Sequence, residues 1–241
     1  MEKDNNLKHI QDALNALPDD FSILEEQIDV ELQMAYFEMA KSERPVVLSK
    51  EELEEAIKTL FEGEIELEEK KHLLVKLAGQ DNIEAFRAIE SFRKEADDTI
   101  RDWAVLALQE SRMVIQSSLL GEQQVFISTG LGGKGQNIRY FVAMQHAEAD
   151  TAFNETQRKL IESEFGFFLN KSEGTLEEIN FHEGFALAVF LFPLKEKLHL
   201  IFKSFIDECN QYGNFLSEDV IITNVKKLTI EEVKEFIKKN E

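Results

Sequence analysis

Cysteine is almost missing: Cys209 is the only one in 241 residues, so no disulfide can form within the chain. Prolines number 3 and glycines 11, which leaves most of the chain free to form regular structure. Long apolar runs are lacking as well. The most apolar stretch, "FALAVFLFPL" from Phe185 to Leu194, has about half the length that a membrane-spanning helix needs. The N-terminal residues, "MEKDNNLKHIQDAL", are polar and acidic and contain no signal-peptide core. These absences predict a soluble, cytoplasmic chain without a membrane partner. Positive charge is also short, with 27 basic against 47 acidic residues and a net of −20. A surface of that sign repels phosphate backbones, so nucleic acid is not an expected partner. Tryptophan (1) and tyrosine (3) are scarce, whereas phenylalanine is abundant at 19. Phe buries a large area without needing a hydrogen-bond partner, so most of the 19 are expected in the core.

What remains divides into two halves of different period. Leu7, Ile10, Leu14 and Leu17 recur at helical steps up to Pro18. Ser22 with Glu25 reads as a capping box for a second helix running toward Lys41, and Ser49 with Glu52 as the same box for a third, whose stripe is Leu53, Ala56, Ile57 and Leu60. A fourth helix through "ELEEKKHLLVKLA" stops near Gly79. Asp81 with Glu84 caps a fifth, and "DDTIRDWAVLALQESRMVIQSSLL" makes a sixth, ended by Gly121. Short, capped connections predict antiparallel neighbours.

The last four of these helices read as two repeated pairs, because residues 70–77 align with 101–108 at a shift of 31. The segment "NIEAFRAIESFRKEADDTIRDWAVLALQES" resembles a HEAT-like repeat of the phycobilisome-lyase type, with Asp97, Asp98, Arg101, Ala104, Ala107 and Leu108 filling the pattern and Trp103 where a smaller residue is usual. The resemblance covers about 40 residues, or about 70 with the preceding pair. It implies stacked helix pairs and a protein-binding surface, and no chemistry; Arg101 is implied to anchor the turn to an acid.

After Gly121 the period shortens. "QQVFIST" and "NIRYFVAMQ" read as a hairpin around a glycine loop, a helix follows from Asn154 and Gln157, and "TLEEINF" and "GFALAVFLF" are two strands with a tight turn at 182–184. "KEKLHLIFKSFIDECNQYG" is helical, "EDVIITNV" is a strand, and Thr229 with Glu232 caps a final helix. Without its first strand the order is β-α-β-β-α-β, the split arrangement of ferredoxin-like folds. The extra strand must then compete for an edge. The expected fold is α+β: an N-terminal antiparallel, HEAT-like helical bundle over 1–121, then a mostly antiparallel sheet with helices over 122–241. Two helices are expected on one face of the sheet, and "FALAVFLF" is expected at its centre, covered on both faces. The helical half is the expected second layer.

Chemistry is sparse. Gly130, Gly132 and Gly135 in "STGLGGKG" fit G-x-G-x-x-G, but a dinucleotide loop must lead into a helix, and here a strand follows. Lys134 is followed by Gly135, which excludes a Walker A loop. The loop is therefore read as a turn, with Gly130, Gly132, Gly133, Lys134 and Arg139 as candidate contact residues for an anion or an acidic partner. His146, Glu148 and Asp150 share a face if extended, yet no further ligand completes a metal shell, and the zinc-deaminase pattern that H-x-E begins needs cysteines the chain lacks. His199 and Cys209 lie ten residues apart on one helix, too far for a nucleophile–base pair. No catalytic residue, metal or cofactor is expected. The leading expectation is a non-enzymatic protein-interaction or scaffold module. Residues 1–121 carry a net of −14 and 122–241 a net of −6, which raises an acidic inhibitor or immunity-type protein with a basic partner as one alternative. A small-molecule or phosphate-binding enzyme using the 130–135 loop is the other.

Overall fold

The computed structural model describes residues 21–43, 47–63, 65–148 and 150–240. The helix expected on Leu7 to Leu17 lies outside them. Among the described residues there are eight helices and seven strands, and the fold is α+β. No helix among them is long and apolar enough to cross a membrane. They divide into two compact units, one of residue 21 with 28–126, the other of 22–27 with 127–240.

The first unit is helical. Helix α1 (Val30–Glu43) begins later than the Ser22 box predicts. Ser22–Ile23 is instead a short strand, β1. Ile23 and Leu24 are buried, and the Leu24 amide bonds the Ile127 carbonyl at 2.9 Å, so this stretch is extended and packed. Asp29 takes over the cap: its Oδ1 accepts from the amides of Glu31 (2.8 Å) and Leu32 (3.2 Å). Helix α2 (Lys50–Leu60) has the predicted box, with both Ser49–Glu52 bonds present. Helix α3 (Leu67–Ala78) ends at Gly79. Helix α4 (Ile83–Glu95) is capped by Asn82 rather than Asp81, whose neighbour's amide oxygen accepts from Glu84 and Ala85. Helix α5 (Arg101–Leu120) stops at Gly121, which has the left-handed φ of 68° that favours glycine.

These helices stack as two hairpins pointing the same way. The starts of α2 and α4 line one groove, and Phe61 at the end of α2 meets Phe92 near the end of α4, with 6.0 Å between ring centroids. Trp103 near the start of α5 donates to the Lys71 carbonyl near the start of α3 (3.2 Å), and Ser118 near its end donates to Asp81 just beyond α3 (2.6 Å). So α2 runs parallel to α4, and α3 to α5. Trp103 is buried against Tyr36 of α1 at 5.2 Å, and the Tyr36 hydroxyl donates to buried Glu110 at 2.6 Å. Arg101 pairs with Asp98 at 2.7 Å, tying the turn to the helix start.

The second unit is built on strands β4 (Asn137–His146), β5 (Thr175–His182), β6 (Phe185–Pro193) and β7 (Leu216–Thr223). Their spatial order is β7-β4-β6-β5, with antiparallel neighbours throughout. Counted along the chain this is 4-1-3-2, the ferredoxin-like arrangement. The extra strand is β3, only Gly133–Lys134, pairing with the first two residues of β4, while β7 pairs with Phe141 to His146 on the same side. Competition for that edge is resolved by sharing its length. "QQVFIST" does not form the partner of β4. Only Phe126–Ile127 is a strand, β2, and it pairs with β1 in a sheet of its own.

Alternation sends Val142 and Met144 of β4 to one face, and Phe141 and Ala143 to the other. Helices α6 (Glu155–Lys171) and α7 (Leu198–Asn210) cover the first. There Phe165, Phe202, Phe205 and Ile206 pack on Phe190 and Phe192 of β6. The second face is covered from within the same unit by α8 (Ile230–Asn240), whose Val233 joins Phe141, Phe185 and Val189. β6 is central and buried on both sides, as its unbroken apolar run predicts.

Candidate functional site

The glycine loop is packed, not open. Gly130, Leu131, Gly132 and Gly133 are all buried. A Cβ on Gly130 would lie 1.8 Å from the Val225 carbonyl oxygen, and one on Gly132 (φ 67°) would lie 2.5 Å from the carbonyl oxygens of Glu25 and Glu26. Three backbone segments therefore meet where only hydrogen side chains fit. The loop amides are also engaged: Leu131 donates to Asn224 (3.0 Å) and Gly132 to Thr129 (3.1 Å). An anion-binding nest needs such amides unengaged. Gly133 belongs to β3, opposite Ile138. Arg139 grips Glu177 with two bonds, 2.6 Å from Nε and 3.1 Å from Nη2, and its Nη1 donates to the Leu131 carbonyl at 2.8 Å. Its guanidinium ties the loop to β5. Of the five candidate residues, Lys134 alone is exposed.

The residues singled out for chemistry are dispersed. His146 is buried at the end of β4, where its Nδ1 accepts the Glu148 amide proton at 3.0 Å. Among the described residues, no group of three His, Cys, Asp or Glu is disposed to hold a metal ion. Cys209 is fully buried in α7, and burial, with Glu164 and Glu208 adding to it, pushes its thiol up to about 12. It packs as a small apolar side chain.

Clefts open on both sides of α8. One, of about 550 Å³, is lined by Glu148, Asp150, Glu183, Phe185, Lys234 and Lys238. The other, of about 510 Å³, lies between α8 and β7, over Ala143, Phe185, Ile221 and Ile237, with Asp219 and half-exposed Phe236 at its rim. Acids of β5 and its turn hold α8 and its approach. Lys227 donates to Glu178 at 2.6 Å and Lys234 to Glu183 at 2.5 Å. Each bond, reinforced by the lysine charge, holds its carboxyl below the usual glutamate range. The bond from Glu183 holds Lys234 above the usual lysine value.

The pH window follows from those directions. A depressed carboxyl contributes fully above its unfolded value, about 4.3, and loses that contribution as pH falls through the lower folded value. The raised Lys234 contributes fully below about 10.4 and loses it as pH rises through the higher folded value. Both pairs are exposed and screened by salt, so the effect is local. Amide protection of α8 is expected to fall before that of α6 on acidification, more so at low salt. Protection that falls together in the two helices, after correction for intrinsic pH dependence, would contradict this.

In the helical unit, two adjoining grooves of about 580 and 280 Å³ lie at the starts of α2 and α4, sharing Leu48, Leu53 and Asn82. Val47 (89% exposed) and Ile83 (56%) stand beside them, and Phe61 is 44% exposed at the far end of α2. Residues 28–126 carry 22 acids and 12 bases, a net of −10.

No family model matches this chain, and no curated protein matches it. Among solved structures, a C-terminal segment of the alpha subunit of aIF2 from Pyrococcus abyssi aligns at 10% identity over 82% of this chain and 98% of that one, with a TM-score of 0.24. A TM-score of 0.24 does not amount to a common fold.

The clefts beside α8 and the Val47–Ile83 groove are not evident from the sequence. One signal was present. Ile230, Val233 and Ile237 keep the i, i+3, i+7 stripe of a covered helix, and Phe236 lies off it.

Proposed function

We propose that the chain is a non-enzymatic protein-interaction module whose stacked helix hairpins offer the docking face. The observation that carries this reading is the parallel pairing of α2 with α4, leaving Val47, Ile83 and Phe61 exposed along one layer. Same-sense stacking of helix pairs is how solenoid repeats make continuous binding surfaces, in keeping with the HEAT-like resemblance. Exposed apolar side chains rimmed by charge suit a protein partner.

An acidic antagonist of a basic protein is the second reading, favoured by the net of −10 on this unit. One experiment separates them: capture of partners by the wild type and by a Val47→Asp/Ile83→Asp variant, at low and high salt. The docking-face reading expects retention at high salt and loss in the variant. Retention by the variant, with release at high salt, would favour the antagonist instead. Both substituted residues are exposed, so an unchanged circular-dichroism melt is the expected control.

A further inference from the structure

The sheet has two outer strands, and they are not equivalent. The ladder of β5 is broken by a bulge between Leu176 and Glu178, and its acids are held by Arg139 and Lys227. Such a bulge, flanked by paired charges, blunts an edge. Strand β7 pairs with β4 on one side, and no strand pairs with its other side among the described residues. The Asp219 amide donates to the Ser217 hydroxyl at 3.2 Å, where the register with β4 shifts. By alternation from the Arg139 amide, which bonds Gly132, and the His146 amide, which bonds Gly184, Ala143 turns its backbone toward Ile221; Ile221 therefore faces β4, and Val220 and Ile222 face outward. Ser217, Asp219 and Ile221 wall the cleft between β7 and α8, over Phe185 and Ile237 with Phe236 at the lip. Glu218 and Asp219 lie on the strand, and Glu148 and Asp150 on the loop after β4. Lys238 is nearby on α8, while Lys234 is taken by Glu183. The balance of the surroundings is acidic.

We infer that the outer edge of β7 docks an extended segment of a partner protein, basic and partly apolar, by strand addition. Backbone bonds to Val220 and Ile222 would fix the segment. Alternate side chains would enter the cleft over Phe236 and Ile221, and lysine or arginine would meet Asp219 and Glu218. The acids on this strand discourage pairing with a second copy, since like charges would face each other.

The test uses the full chain and a short capped peptide alternating lysine and valine. Its twin is methylated at alternate backbone nitrogens, keeping charge and apolarity but losing the ladder donors. The unmodified peptide is expected to bind saturably and to protect the amides of Val220 and Ile222 in hydrogen exchange. The methylated twin is expected to bind about tenfold more weakly or not at all, and Asp219→Lys to weaken the unmodified peptide by about tenfold as well. Asp219 is exposed, so the variant's melt should match the wild type. Equal binding of the twin, or protection confined to the helical unit, would overturn the inference. Protection of Val220 and Ile222 that grows with protein concentration alone would overturn it too, by assigning the edge to a second copy. None of these outcomes bears on the docking face of α2 and α4, which is read out by different variants.

Discussion

Gly130→Ala is expected to lower the stability of the α+β unit by about 3 kcal/mol, the upper end of what overpacking usually costs. The added carbon would sit 1.8 Å from the Val225 carbonyl oxygen and 2.7 Å from its carbon. Those are backbone atoms, so no side chain can turn aside. Relief requires moving the 224–225 segment, which also accepts the Leu131 amide and leads into α8. Gly135→Ala is the control. Nothing lies within 4 Å of its Cβ, and its φ of 60° alone should cost about 1 kcal/mol. Urea unfolding followed by far-ultraviolet circular dichroism measures both. Equal midpoints for the two variants would show that the close approach does not hold. The comparison also separates the roles of the loop: a loop kept for ligand contact would lose binding in the first variant and keep its stability.

The second large effect belongs to Phe165. It is fully buried in α6, and its ring centroid lies 5.3 Å from Phe190, 5.3 Å from Phe202 and 5.1 Å from Phe205. Truncating a buried Phe to Ala leaves a cavity that a rigid neighbourhood fills poorly, at about 3–5 kcal/mol. Domains are stable by only about 5–15 kcal/mol, so Phe165→Ala should remove a large part of the reserve. Phe167, two positions on, is 58% exposed. Phe167→Ala should stay within about 1 kcal/mol of the wild type. Similar losses in the two variants would mean that this face of α6 is not the buried one.

Local signals are legible where the chain itself satisfies them. The Ser49–Glu52, Asn154–Gln157 and Thr229–Glu232 boxes all form, because their partners lie three residues apart whatever the rest of the fold does. The Ser22–Glu25 box has the same letters and does not cap α1. There the burial of Ile23 and Leu24 outweighs a local cap, and that burial depends on residues distant in sequence. The same limit explains the glycine loop. Spacing within "STGLGGKG" suggested presentation to a ligand, yet the atoms that require glycine are carbonyls of Glu25, Glu26 and Val225, from opposite ends of the sequence. The cover of the second sheet face is not legible for a similar reason. Periodicity shows that α8 has an apolar stripe and is silent on which face receives it.

The scarcity of tryptophan has a practical consequence. Trp103 sits in the helical unit, buried beside Tyr36, while Tyr140 and Tyr212 belong to the sheet unit. Emission excited selectively at the indole therefore reports one unit alone, with no engineered label. Paired with far-ultraviolet circular dichroism, which sees both, it tells whether the two units melt in a single transition or one after the other.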